Sequence, residues 1–104
     1  MYRVTISYGQ PHNPAAFDEY YQYKHLPLAT QIPGLRRLAG GRCESPNGEE
    51  PAAYYLTQLS FADRAKALAA LASPQGRAAA ADIVNFATGG AAIAYSDEEL
   101  VIES

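Results

Sequence analysis

Four large apolar residues at every second position, Tyr2, Val4, Ile6 and Tyr8 in YRVTISY, constrain this chain more than any other stretch. Arg3, Thr5 and Ser7 separate them, and a period of two sends the two sets to opposite faces of a strand. GQPHNP breaks the strand. Asn13 before Pro14 then reads as an N-cap with proline at the first helical position, where its missing N–H costs nothing. The first helix is predicted from Pro14 to about His25, ending there because Pro27 disfavours helical geometry at Leu26 and cannot donate the next hydrogen bond.

IPGL at 32–35 is a turn with Gly34 as the residue that needs positive φ. LRRLAGGRCES carries a second strand whose Gly40 and Gly41 suggest a bulge or the close approach of another backbone. After the loop PNGEEP, a third strand is predicted over 52–61, with Tyr54 and Leu56 on one side and Tyr55, Leu59 and Phe61 on the other. Ser60 is the candidate cap of a helix that opens with Asp63 and carries Leu68 and Leu71 on one face. Ser73 and Pro74 restart a helix that stops at Gly89 and Gly90. AAIAY, 91–95, is a short strand, and EELVIES is expected to extend it or return as a tail strand.

Strand, helix, strand, strand, helix pair, strand is the order of a split βαβ, so the fold class is α+β: a ferredoxin-like sandwich with an antiparallel sheet covered by helices on one face. A chain of 104 residues supports one hydrophobic core, and residues 1–104 are expected to form a single domain. With strand three apolar on both sides, the open sheet face predicts self-association into a homodimer.

Composition narrows the function classes. The net charge is −3 and the eight Lys and Arg residues are scattered, which argues against nucleic acid as a partner. YRVTISY follows Met1 with no signal-like region, no stretch is long and apolar enough to span a bilayer, and the lone Cys43 suits a reducing compartment; no membrane partner and a cytoplasmic location are expected. Two histidines and one cysteine, without H-x-x-x-H or C-x-x-C spacing, predict no metal site, and no cofactor is expected. No glycine-rich phosphate loop follows a strand, and no Ser or Cys nucleophile has evident partners.

FDEYYQYKHLPLATQIPGLRR, 17–37, resembles the signature of the EthD family, named for ethyl tert-butyl ether degradation. The aromatic pair Tyr20 and Tyr21, the His25-x-Pro27-Leu28 step and the Ile32-Pro33-Gly34-Leu35 turn carry the resemblance, supported by ALASPQGRAAAADIVNF with its Asp82 and Phe86. The resemblance implies a homodimeric α+β barrel with a small-molecule pocket between each sheet and its helices. It also implies a role in oxidative degradation or aromatic polyketide tailoring, often as an accessory protein. Cofactor-free monooxygenases, lactone isomerases and haem proteins occur in the wider barrel group, and haem through His25 would rest on that analogy alone.

Helical spacing puts Phe17, Tyr21, His25 and Leu28 on one inward face, so His25 is placed to close one end of an interior space. Imidazole gives and takes protons near neutral pH, which makes His25 the candidate general acid or base. Against this stands a structural role, with the ring locking the helix end at a backbone carbonyl. Tyr8, Tyr21 and Tyr55 are candidates to orient a small aromatic or oxygenated ligand, with Phe17 and Leu28 as apolar lining. Tyr23 belongs to solvent or an interface, His12 to an exposed loop, and Asp82 is expected to pair with Arg64 or Arg77. The expected function is small-molecule catabolism or tailoring by a cofactor-free oxidoreductase, an accessory to one, or an isomerase. The alternative is a binding dimer, or a structural partner of a neighbouring enzyme, that does no chemistry.

Overall fold

The computed structural model describes residues 1–104. β1 (Tyr2–Gly9) lies in the middle of a four-stranded antiparallel sheet, with β3 (Ala53–Phe61) on one side and β4 (Ala91–Asp97) on the other; β2 (Arg37–Arg42) forms the edge beyond β3. The strand order β2-β3-β1-β4 is that of a ferredoxin-like α+β sandwich. Tyr2, Val4, Ile6 and Tyr8 are buried, as the alternation predicts, and register pairs them with Phe61, Leu59, Thr57 and Tyr55 of β3. Both sets face the helices.

The register slips between Tyr8 and Gly9, opposite Tyr55 and Ala53, and leaves Tyr54 as the extra residue of a bulge on β3. The slip corrects the two-sided reading of strand three. Tyr54 turns to the helix side, where its ring packs edge-on against Phe17 at 5.1 Å and its hydroxyl donates to Asp18 Oδ1 at 2.8 Å. The open face is left with small and polar residues, among them Thr5, Ser7, Ala39, Gln58 and Ala94, and Leu56 as its large apolar side chain.

α1 (Pro14–Tyr20) is capped by Asn13, whose side chain accepts from Ala16 N–H. It does not stop before Pro27. The chain continues through a π-helical turn (Tyr21–His25) into α2 (Leu26–Ala29), and Leu26 N–H reaches back to the Tyr21 carbonyl. Widening the turn places Pro27 in the first turn of the following segment, where no donor is required of it. One inserted residue also rotates the faces that follow: Ala29, at 4% exposure, takes the inward position predicted for Leu28, which is 38% exposed.

α3 (Arg64–Ala72) is capped by Asp63, which accepts from Lys66 N–H, and not by Ser60, which is still in β3. Its buried face is Ala67 and Ala70, while Leu68 points outward. α4 (Pro74–Asp82) starts at the predicted Ser73 cap and ends in a 3-10 turn (Ile83–Asn85), ahead of the predicted glycine stop. Gly9 and Gly89 belong to a backbone crossing: a Cβ on Gly9 would lie 2.3 Å from the Gly89 carbonyl oxygen. Gly34 has φ 76°, as the IPGL turn requires. Residues 98–104 form neither the extension of β4 nor the returning strand expected of them, and Leu100, Val101 and Ile102 are exposed. No helix is long and apolar enough to cross a membrane.

Candidate functional site

The sheet and the helices do not close on each other completely. Between them lies a cavity of about 220 Å³, walled mainly by aliphatic side chains of the strands (Val4, Ile6, Leu59) and of the helices (Leu26, Leu71, Ile83). Ile93 and Tyr95 of β4 form its half-exposed rim. The polar groups of the wall are few. They are His25 at the end of the π turn and the hydroxyls of Tyr21 and Thr57, with the Tyr95 phenol at the rim.

His25 is 5% exposed, and its Nδ1 lies 2.9 Å from Asp82 Oδ2. The predicted pairing of Asp82 with Arg64 or Arg77 is therefore wrong: α4 carries the carboxylate to the histidine, 57 positions earlier in the chain. Tyr20 donates to the other oxygen, Asp82 Oδ1, at 2.6 Å, and Asn85 Nδ2 donates to the same atom at 3.0 Å. Burial pushes the Asp82 carboxyl up. The hydrogen bonds from Tyr20, Asn85 and His25, with the charge of His25, outweigh it and hold the group below its ordinary value. The same hydrogen bond, with burial adding to it, raises the Tyr20 phenol.

An ionised carboxylate only accepts, so Nδ1 must carry the proton that it shares with Asp82. Whenever the ring is neutral, Nε2 is then its free lone pair. It bonds to no protein group, and because His25 lines the cavity, Nε2 is the ring nitrogen left for a ligand. A histidine fixed in one tautomer by a buried carboxylate, with the other nitrogen open to an apolar space, can take a proton from a ligand and return it.

Tyr21 stacks against His25 with ring centroids 5.7 Å apart, and its hydroxyl shares a 2.6 Å hydrogen bond with Thr57 Oγ1. Two hydroxyls hold two protons and their mutual bond uses one, so the pair has a second proton that the Tyr55 oxygen or a ligand oxygen can accept. Burial, against the Thr57 hydrogen bond and with the Tyr55 phenol adding to it, pushes the Tyr21 phenol up to about 12. Tyr21 therefore stays protonated.

The sequence-predicted residues separate into two groups. His25 and Tyr21 line the cavity; Tyr8, Phe17 and Tyr55 do not, and instead back Tyr21 in an aromatic cluster with ring centroids 4.8 to 6.0 Å from it. Tyr8 is fully buried, its hydroxyl has no partner, and burial raises its pKa. Leu28 is outside the site altogether. Tyr23 and His12 are exposed, as expected. The residues that sequence reasoning missed are Asp82 as the partner of His25, Tyr20 as a holder of Asp82, and Thr57. The readable signal was Asp82 itself, a lone carboxylate in the apolar run AAAADIVNF. No three His, Cys, Asp or Glu side chains converge in a way that could hold a metal ion.

A family model described as the EthD domain matches residues 10–90. The chain is 54% identical over 102 residues to an uncharacterised 11.0 kDa protein from the thcB–thcC intergenic region of Rhodococcus erythropolis, covering 98% of this chain and 99% of that protein. Among solved structures, an ethyl tert-butyl ether degradation (EthD) family protein from Bacillus halodurans C-125 superposes with a TM-score of 0.89 at 31% identity, over 95% of this chain and 99% of that one. A dimeric ferredoxin-like protein of unknown function from Jannaschia sp. CCS1 superposes with a TM-score of 0.68 at 18% identity, over 94% and 100% of the two chains. This last likeness bears on the fold alone.

Proposed function

The chain belongs to the EthD family, and from that premise we propose that it takes a small aromatic or cyclic oxygenated compound into the cavity between sheet and helices and moves a proton on it with His25. The observation that carries this reading is the buried Asp82 carboxylate at 2.9 Å from His25 Nδ1, behind a ring that lines the cavity and whose other nitrogen has no protein partner. Nε2 accepts a proton from an O–H or acidic C–H of the ligand, and the imidazolium is stabilised by Asp82. The charge left on the ligand oxygen is met by the hydroxyl pair of Tyr21 and Thr57. Returning the proton to a different atom completes an isomerisation with no other reactant. With dissolved dioxygen as oxidant, the same deprotonated ligand gives a cofactor-free oxygenation, in which a CH₂ becomes C=O and the second oxygen leaves as water.

A wall of aliphatic side chains would equally suit a carrier that does no chemistry. The Asp82–His25 pair favours catalysis over carriage, because a binding pocket has no need of an oriented base. The test is turnover of enolisable cyclic ketones and phenols by wild type and by a folded His25→Ala protein, followed by solvent deuterium exchange into the ligand. Exchange that wild type catalyses and His25→Ala loses supports the reading; equal exchange by both overturns it.

The proposal includes a homodimer. The half-exposed Leu56 on the open sheet face and the exposed Leu100, Val101 and Ile102 are apolar surface that a second copy would cover. Light scattering at micromolar concentration should give twice the 11.2 kDa chain mass; a monomer refutes it.

A further inference from the structure

Charge is what the cavity lacks. None of the eight Lys and Arg side chains lines it, so the one cation it can offer is a protonated His25, whose charge Asp82 already balances at 2.9 Å. The one helix N-terminus that reaches the wall, at Gly76, has that residue's N–H already taken by Ser73 Oγ at 3.0 Å. The backbone of the sheet beneath is committed to its ladders. The nearest full charge is negative, the Asp82 carboxylate directly behind His25. A carboxylate placed here would lose its water and gain a few hydroxyl donors and a histidine already paired with Asp82, a poor exchange for an ionised group.

Size sets a second limit. An apolar cavity of about 150 Å³ takes benzene, so 220 Å³ admits one ring with substituents or two fused rings. The inner polar groups are those of Tyr21, Thr57 and His25, the Leu71 and Ile83 parts of the wall offer nothing to an oxygen, and the Tyr95 phenol stands at the open rim. A fitting ligand carries its oxygen function at one end and hydrocarbon at the other.

Resting on the proposed small-molecule role of the site, we propose that the cavity selects uncharged one- or two-ring compounds with a hydroxyl or enolisable carbonyl at one end, and rejects carboxylates of the same shape. This gives the protein a defined substrate class. A carboxylic acid would have to be neutralised, by reduction, decarboxylation or esterification, before it could enter.

The test is calorimetric titration at pH 7.5 of the whole protein with 2-naphthol and 2-naphthoate, and with phenol and benzoate, in wild type and an Ile93→Trp variant that fills the half-exposed rim without touching the buried core. The expected result is one naphthol per chain in wild type, naphthoate weaker by on the order of 100-fold, and loss of naphthol binding in Ile93→Trp. Naphthoate or benzoate bound as tightly as its neutral partner overturns the charge selection and leaves the small-molecule role standing. Binding of neither naphthol nor phenol overturns both. Naphthol binding that Ile93→Trp leaves unchanged places the ligand elsewhere and overturns the assignment to this cavity.

Discussion

Replacing Asp82 by asparagine and by alanine separates what the carboxylate does for His25 from what it does for the fold. Three hydrogen bonds converge on it, but they are not equal. Asn85 is exposed and Tyr20 half-buried, so in Asp82→Ala both donors turn to water at little net cost. His25 is 5% exposed and has no such option; its Nδ1–H loses a charge-assisted partner inside the protein. A bond of that kind contributes about 1.5–3 kcal/mol. At roughly 4 °C per kcal/mol for a domain near 100 residues, Asp82→Ala should melt about 6–12 °C lower than wild type. Asp82→Asn keeps an acceptor for Tyr20 but turns an amide N–H toward Nδ1, so the imidazole proton must move to Nε2. The variant should lose only about 1 kcal/mol, yet present the cavity with a donor where wild type presents a base. Nitrogen-detected NMR of the imidazole reads this without any ligand: Nδ1–H in neutral wild-type His25, Nε2–H in Asp82→Asn. Any proton transfer should fall at least about 100-fold in the same variant. An unchanged tautomer in Asp82→Asn, or an Asp82→Ala melting point within about 2 °C of wild type, would refute the reasoning.

Three further outcomes are expected. Because the folded Asp82 carboxyl is depressed, the stability it contributes is complete above the unfolded carboxylate value near 3.9 and is lost as pH falls through the lower folded value; melting curves from pH 6 to pH 2 should show wild type losing its advantage over Asp82→Asn across that window, and a constant difference would contradict it. Tyr21→Phe removes the bond to Thr57 and leaves a buried hydroxyl with one partner fewer, so denaturant titration should give a loss of about 1–2 kcal/mol, with weaker binding of any oxygenated ligand and little change for a plain hydrocarbon. Gly89→Ala sets a methyl 2.2 Å from the Gln10 carbonyl oxygen, and the chain crossing that leads into β4 must shift; a destabilisation of about 1–3 kcal/mol is expected by the same titration, and full stability would show that the crossing is not tight.

The period of two in residues 2–8, the Asn13-Pro14 and Ser73-Pro74 starts and the Gly34 turn are local matters, set by neighbours within a few positions, and they were legible in the chain. With them came the order of elements and hence the ferredoxin-like sheet. His25 and Tyr21 were legible as well, because four-residue spacing stacks them on one helical face whatever surrounds it. Tertiary structure decided the rest. Whether Pro27 ends a helix or widens it depends on the packing that rewards an inward Ala29, and that choice expelled Leu28 from the site. Whether Tyr54 faces solvent or Phe17 depends on a one-residue slip against β1, invisible in a strand read alone. Most of all, the partner of His25 lies 57 residues away, and no periodicity connects them. The sheet brings α4 beside the π turn, and there a carboxylate expected to pair with an arginine becomes the group that fixes the histidine's proton.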